Sequence, residues 1–350
     1  MKIAIVAGGT GGHIYPGLAI AEEVRLRDPK AEILFLGSEE GLEKDLVSRA
    51  GYEIKLIKSR ALLRKLSYKA ISAPFVSVIG FFQALSILKA NAPTVLFSTG
   101  GYASLPVVLT ARLLGIPILL HEQNVLPGAV NRFCQRFSKL NFLSFPQSLE
   151  YMRGEVVGNP VRRKILAGQK DQACKKLKLD KNKKVVLVMG GSQGAKSINQ
   201  TVLAALSSLP AGVQIIHLIG KRDFDWAEHS FKNFPNYFPF AYLDDMQDVL
   251  AAADLVISRA GATAIFEFLA KGLPMVLIPF PYAAGNHQLL NAQAIAKNGA
   301  AVVVNDQDFT ANKFIELLSS SVLDYDKMRQ ASLSLAKPQA AQRIVDFIYA

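Results

Sequence analysis

The stretch Lys2-Ile3-Ala4-Ile5-Val6-Ala7-Gly8-Gly9-Thr10-Gly11-Gly12-His13 opens the chain. A near copy of its design opens the second half, as Val185-Val186-Leu187-Val188-Met189-Gly190-Gly191-Ser192-Gln193-Gly194-Ala195. Each is a short apolar run, suited to a buried strand, that ends in glycines. A strand running through glycines into a helix leaves unpaired backbone N–H groups pointing into a crevice. Those groups, with the positive end of the helix dipole, hold phosphate. Two such turns, one per half, predict two phosphate- or nucleotide-binding α/β domains facing each other across a cleft.

Further apolar runs suited to buried parallel strands are Ile33–Leu36, Val95–Phe97, Ile116–Leu120 and Leu140–Leu143. In the second half they recur at Val185–Met189, Ile215–Ile219, Leu255–Ile257, Met275–Ile278 and Ala301–Val304. Helical patterns such as Pro16–Arg27 and Asn286–Lys297 lie between them. This alternation predicts parallel sheets covered on both faces. Gly158-Asn159-Pro160 marks the linker, which sets the expected domains at residues 1–160 and 161–337. Lys337-Pro338 breaks the chain again before an amphipathic helix, Gln339–Tyr349, and segment 338–350 is expected to return to the first domain.

At 350 residues the chain has room for two domains, each with its own core. With 50% hydrophobic and 19% charged residues it reads as globular rather than disordered. Cys134 and Cys174 are its only cysteines, which argues against a disulfide framework and fits a reducing compartment. The chain enters a strand with no basic-then-apolar leader, so no signal peptide is expected. A net charge of +12 leaves nucleic acid, an anionic membrane and polyphosphate ligands open. Its distribution says more: from Lys55 to Lys139 eleven basic residues stand against one acid, Glu122.

Within that basic stretch, Ala70–Leu88 carries no charge. Ser72, Pro74, Ser77, Gly80, Gln83 and Ser86 dilute it too far for a spanning helix, which wants about 20 predominantly apolar residues. Two readings stay open. One is a helix packed on the sheet. The other leaves Phe75, Ile79 and Phe82 exposed on a membrane surface, next to the basic Arg64, Lys65 and Lys69.

The first loop departs from the dinucleotide fingerprint, because Ile14 stands where its third glycine would fall. Glu39 follows the second strand, where a ribose-binding acid belongs, and keeps a nicotinamide enzyme as an alternative. His13 ends the loop. Its neutral imidazole suits proton abstraction from a hydroxyl held at the turn, or simple hydrogen bonding to the backbone. A third site, Ser258-Arg259-Ala260-Gly261-Ala262-Thr263-Ala264-Ile265-Phe266-Glu267, follows a strand and begins a helix. Thr263 and Glu267 share one face of that helix. A nucleoside diphosphate at its N-terminus puts the ribose near Glu267; the alternative makes Glu267 a solvated surface acid. Asp223-Phe224-Asp225, Asp306-Gln307-Asp308 and Asp324-Tyr325-Asp326 read as solvated loop or helix-start acids rather than Mg²⁺ ligands, since none directly follows a strong strand. No zinc spacing or Walker-type loop occurs.

Taken in order, GGTGGH at 8–13, STGGYAS at 98–104, HEQN at 121–124, PG at 127–128, GNPVR at 158–162, GGSQGA at 190–195 and the RAGATAIFE segment resemble the MurG family, peptidoglycan glycosyltransferases of the GT-B fold. The match runs over essentially the whole chain. The resemblance implies two Rossmann-like parallel-sheet domains facing across a cleft. It also implies inverting transfer of N-acetylglucosamine from UDP-N-acetylglucosamine to the 4-hydroxyl of the muramyl sugar of lipid I, forming lipid II for the cell wall. Carried over by motif, the donor contacts are Ser192, Leu243, Ala262, Thr263, Ala264, Ile265, Phe266, Glu267 and Gln288. Thr10, Gly11, Gly12, Asn124 and Arg162 complete them. Gly9, His13 and Tyr102 face the acceptor. The segment Arg60–Lys65 lacks the glycines of the family's acceptor loop.

The reaction needs a base for the acceptor hydroxyl and stabilisation of the departing UDP. His13 is the first candidate base and Glu122 the second, since a carboxylate needs its pKa raised to serve at neutral pH. Helix N-termini and Arg162 suit the developing diphosphate charge, so no cofactor is required and a divalent metal such as Mg²⁺ is at most a stimulant. The implied partners are UDP-N-acetylglucosamine, lipid I, an anionic membrane surface and other cell-wall synthesis and division proteins, with no nucleic acid. The implied place is peripheral, on the cytoplasmic face of the bacterial inner membrane. The competing readings are a glycolipid glucosyltransferase, a UDP-N-acetylglucosamine epimerase, and a non-catalytic sugar-nucleotide-binding partner.

Overall fold

The computed structural model describes all residues except 61–67, 192–193, 228–233 and 320–322, and over 68–74 it describes the helix without its side chains. The chain divides into two units, Met1–Arg162 with Lys337–Ala350, and Arg163–Ala336.

The first unit holds a parallel sheet of β1 (Lys2–Val6), β2 (Glu32–Ser38), β3 (Glu53–Ile57), β4 (Val95–Ser98), β5 (Ile118–Glu122), β6 (Leu140–Leu143) and β7 (Glu155–Val156). The spatial order is β3-β2-β1-β4-β5-β6-β7. Alternation along the strands feeds two cores. Ile3, Ile5, Phe35, Phe97 and Leu119 meet Ile14 and Leu18 of helix Gly11–Arg27 and Ile344, Val345 and Ile348 of helix Ala340–Tyr349. Ala4, Val6, Leu36, Leu96 and Leu120 meet Ala84 and Leu88 of helix Tyr68–Asn91 and Val107 and Val108 of helix Ser104–Leu113. The last helix is tied down by Arg27–Asp346 at 2.5 Å, by Arg343–Glu155, and by Arg27 over the Tyr349 ring.

The second unit holds β8 (Lys184–Met189), β9 (Val213–Leu218), β10 (Tyr237–Phe240), β11 (Leu255–Ser258), β12 (Met275–Leu277) and β13 (Ala301–Val303), all parallel, in the order β10-β9-β8-β11-β12-β13. Val186, Val188, Ile215, Ile257 and Val276 pack on Ile198, Val202, Phe314 and Leu317.

Three strands are absent from the apolar-run reading: β3, β7 and β10. All lie at or beside sheet edges, where only part of a strand is buried. In β3 the burial alternates, with Glu53 and Lys55 outward, and β10 carries Pro239, which cannot donate to a ladder and is tolerated at an edge. No helix among the described residues is long and apolar enough to cross a membrane. Helix Tyr68–Asn91 leaves Phe75, Val78, Ile79 and Phe82 exposed, at 73%, 56%, 47% and 62%. It therefore packs on helix Ser104–Leu113 with one face and turns an apolar face outward. Arg64 and Lys65, with most of the segment Arg60–Lys65, lie outside the described residues, and so does the side chain of Lys69.

Candidate active site

In each sheet the strand order reverses once, between β1 and β4 and between β8 and β11. Loops leaving the carboxyl ends of those neighbours diverge and open a crevice, the usual ligand position in open α/β sheets. Both glycine turns leave from such a point.

At the first crevice the turn after β1 packs on the turn after β4. Gly8 N–H donates to the Gly100 carbonyl at 3.2 Å. Gly101 sits at φ +87°, and a Cβ there would lie 2.4 Å from the Gly8 carbonyl oxygen. Gly9, at φ +90°, faces the ring of Tyr102, 2.6 Å from where its Cβ would be. Burial raises the Tyr102 phenol pKa. Beneath this turn lies Glu43, 1% exposed, whose Oε1 accepts the N–H groups of Gly9 at 2.7 Å and Ser38 at 3.1 Å. Thr10 is exposed at the N-cap without capping the helix through its side chain, and Gly11, Gly12 and His13 form the first helical turn. His13 thus sits inside the helix rather than ending the loop.

β5 runs two residues further than its apolar run suggests and delivers His121 and Glu122 to the same crevice. Side chains alternate there. On one face His13 Nδ1 lies 2.8 Å from the Thr99 carbonyl oxygen and 2.9 Å from Gln123 Oε1. Gln123 in turn reaches His121, which is fully buried, and burial lowers the His121 pKa to about 4. On the other face Glu122, 1% exposed, accepts four donors. Its Oε1 takes Asn124 N–H at 2.9 Å and Asn124 Nδ2 at 3.3 Å. Its Oε2 takes Gly128 N–H at 3.0 Å and Asn131 Nδ2 at 2.8 Å. Arg162 is buried with its guanidinium 4.0 Å over the Tyr15 ring, a cation–π stack that fixes its plane.

At the second crevice Gly194 N–H closes a tight turn on the Gly191 carbonyl at 3.0 Å, ahead of helix Lys196–Ala205. Ser192 lies outside the described residues. Across the crevice, Gly261 starts helix Ala262–Ala270. Thr263 and Glu267 are each 8% exposed, so Glu267 is a buried acid and not a solvated one. Ile265, Phe266 and Phe268 are buried, and the Ile265 N–H is taken by the Gly261 carbonyl. Ala264 is half-buried beside them. Gln288 follows β12, in the first turn of helix His287–Ala296, and its Oε1 accepts Phe280 N–H at 2.9 Å. Leu243 follows β10 and is half-buried. Because all strands are parallel, the loops after β8, β10, β11 and β12 share one edge of the sheet.

Arg259 fastens that edge. It bonds the Ile278 and Pro279 carbonyls and Ser197 Oγ, and pairs with Asp306 at 2.5 Å. Asp306 is accordingly an ion-pair partner. Asp223 is likewise no solvated acid: it is 4% exposed and accepts from Asn199 Nδ2 at 2.9 Å. Asp324 caps helix Tyr325–Leu335 by accepting Lys327 N–H. Among the described residues, no three His, Cys, Asp or Glu side chains converge as a metal site. Cys134 and Cys174 are free and buried.

Two parallel sheets of this order, each with a glycine turn at its switch point, fit the GT-B fold. The glycosyltransferase family 28 N-terminal domain matches residues 3–142 and the C-terminal domain of that family matches residues 185–347. The chain belongs to the MurG family, the UDP-N-acetylglucosamine–N-acetylmuramyl-(pentapeptide) pyrophosphoryl-undecaprenol N-acetylglucosamine transferases. It is 39% identical to the transferase of that name from Halothermothrix orenii, over 99% of this chain and 98% of the relative. With the one from Desulfitobacterium hafniense it shares 40% identity over the same fractions. Among solved structures it resembles MurG of Acinetobacter baumannii, with a TM-score of 0.76, 28% identity and 99% of both chains covered. UDP-GlcNAc 2-epimerase from Neisseria meningitidis, at 15% identity, 100% of both chains and a TM-score of 0.67, shares the fold.

Sequence reasoning named neither Glu43 nor Gln123 nor Arg259 as a working residue. The first had no signal, since Glu39 stood in the expected place and is exposed. Gln123 had one, its position two residues from His121 at the end of a strand.

Proposed function

We infer that this chain moves N-acetylglucosamine from UDP-N-acetylglucosamine to the 4-hydroxyl of the muramyl sugar of lipid I, with inversion, and so forms lipid II. The observation that carries this reading is the near-full-length identity to transferases of that name, joined to an intact glycine turn at both switch points. The second sheet holds the donor through Ser192, Leu243, Gln288 and the turn Ala262–Glu267, with Glu267 on the ribose. Helix N-termini and Arg162 meet the charge of the departing diphosphate without a fixed metal, and the expected outcome is turnover that survives a chelator. In the first unit Gly9 and Tyr102 face the acceptor and His13 removes the hydroxyl proton. Glu122 has every lone pair engaged by a protein donor, which suits holding the 123–131 turn better than taking a proton. Transfer of radiolabelled N-acetylglucosamine to lipid I, and not to a simple glucosyl lipid, tests the assignment. Equal labelling of both, or of neither, overturns it.

The acceptor carries a polyprenyl tail, so the enzyme must reach a bilayer. The exposed Phe75, Val78, Ile79 and Phe82 of helix Tyr68–Asn91 offer an apolar face. A cavity of about 350 Å³ lined by Arg112, Arg136 and Lys139 adds cations in the same unit. An apolar face with cations suits the anionic cytoplasmic leaflet.

A further inference from the structure

Gln123 is an amide, and which of its ends faces His13 decides what His13 is able to do. Its Nε2 lies 2.9 Å from the Thr99 carbonyl oxygen and 3.1 Å from the His121 carbonyl oxygen. Backbone carbonyls only accept, so that end carries the hydrogens. The Oε1 end therefore meets His13 Nδ1 at 2.9 Å. The Thr99 carbonyl oxygen, 2.8 Å from the same nitrogen, is a second acceptor. Two acceptors on Nδ1 require a proton there, which leaves the lone pair of neutral His13 on Nε2.

The far side of the amide is fixed with equal definition. Gln123 Nε2, whose two hydrogens serve the two carbonyls, also lies 3.0 Å from His121 Nδ1, and since an amide nitrogen does not accept, that ring nitrogen carries no proton. His121 then carries its proton on Nε2, 3.1 Å from the Gly158 carbonyl. Burial keeps His121 neutral, so it holds the amide without taking a proton from it.

We propose that Gln123, held by Thr99 and His121, is the positioning residue that locks His13 in the Nδ1–H tautomer and presents Nε2 as the proton acceptor. The proposal rests on the reading of His13 as the base and adds what sets its tautomer. Free histidine favours the opposite tautomer, so without Gln123 the Thr99 carbonyl is left as the single acceptor on Nδ1 and part of the population would present an N–H where a lone pair is needed. When Nε2 takes the proton, the Nδ1–H dipole contacts with two oxygens persist and steady the cation.

The test is the nitrogen-15 spectrum of imidazole-labelled enzyme at alkaline pH, with signals assigned by loss in His13→Gln and His121→Asn. Opposite tautomers for the two residues, Nδ1–H for His13 and Nε2–H for His121, are expected. An Nε2–H tautomer at His13 in the wild-type enzyme overturns the proposal, and this holds even where a Gln123 variant fails to fold. Gln123→Met should mix the His13 tautomers and lower kcat about 10-fold or more at unchanged KM for UDP-N-acetylglucosamine. A mutant with the wild-type tautomer and kcat overturns it too. Should the base reading itself be wrong, His13→Gln would retain turnover whatever the spectrum, so the two failures are told apart.

Discussion

Glu122→Gln separates a carboxylate that holds a turn from one that takes a proton. The wild-type carboxylate accepts Asn124 N–H and Nδ2 on one oxygen, and Gly128 N–H and Asn131 Nδ2 on the other. A glutamine of the same shape satisfies one pair and turns its own NH₂ toward the second. Asn131 has no escape by flipping its amide, because its Nδ2 also donates to the His121 carbonyl at 3.1 Å. Two bonds to a charged acceptor, at about 1.5–3 kcal/mol each, give a loss of about 3–5 kcal/mol after partial relaxation. At about 2–4 °C per kcal/mol for a domain of this size, the first unit should unfold on the order of 10 °C lower in calorimetry, while UDP affinity is kept. Turnover should fall only as far as the turn is disordered, and recover in part at low temperature. An unchanged unfolding midpoint with turnover abolished would refute the reasoning and make Glu122 the reacting group.

Glu267→Ala should weaken UDP-N-acetylglucosamine by about 1.5–3 kcal/mol, roughly 10- to 150-fold in Kd by titration calorimetry, and unchanged affinity removes Glu267 from the donor set. His13→Ala should lower turnover by about 10²–10⁴-fold with UDP binding intact; near wild-type turnover would leave His13 a backbone-bonding residue. The enzyme should co-sediment with phosphatidylglycerol vesicles at low salt and release as salt rises, and Phe75→Ser with Phe82→Ser should weaken that binding by about 10- to 100-fold. Binding equal on neutral and anionic vesicles counts against the electrostatic part. His121 and His217 are buried with pKa values lowered by burial to about 4 and about 3. Below about pH 6.5 the unfolded chain protonates these groups and the native one does not, so stability should drop as pH falls from about 6.5 toward 4, by up to about 1.4 kcal/mol per pH unit per histidine. A flat unfolding free energy over that window in urea titrations would contradict their burial as neutral rings.

The two sheets were legible because their central strands are buried on both faces and read as unbroken apolar runs. The edge strands were not, since Glu53-Ile54-Lys55 and Tyr237-Phe238-Pro239 answer to a half-buried position that no run of hydrophobics announces. The end of β5 shows how a boundary error hides a site. Stopping the strand at Leu120 leaves HEQN as a loop of four unrelated polar residues. Carried through Glu122, period-two alternation sends His121 and Gln123 to the face of helix Gly11–Arg27, and Glu122 with Asn124 to the other. Glu43 and Asp223 lay beyond any such rule. Their carboxylates are buried by what the tertiary fold brings to them, a glycine turn 34 residues away and Asn199 at a distance of 24.

The two glycine turns are packed alike, since a Cβ on Gly190 would lie 2.3 Å from the Ala195 nitrogen and one on Gly194, at φ +74°, 2.3 Å from the Ile219 carbonyl oxygen. It is the start of helix Ala262–Ala270 that differs. At the first crevice the glycines are demanded by the protein: a side chain on Gly101 would strike the Gly8 carbonyl at 2.4 Å, and one on Gly9 would strike Tyr102 at 2.6 Å. The turns after β1 and β4 close on each other, with Glu43 taking the Gly9 N–H that a phosphate would otherwise want. At the second crevice Gly261 has φ −70° and ψ 129°, a conformation open to any residue, and nothing of the protein lies within 4 Å of the place its Cβ would take. Neither backbone nor packing asks for glycine there. What glycine gains at that position is close approach of a bound group to the N-terminus of helix Ala262–Ala270, where aligned peptide dipoles favour negative charge. This open helix start, rather than the glycine turn after β8, favours a place for the UDP diphosphate on the second sheet. It leaves the first to hold His13 in place, through a framework of hydrogen bonds that a bound diphosphate does not have to displace.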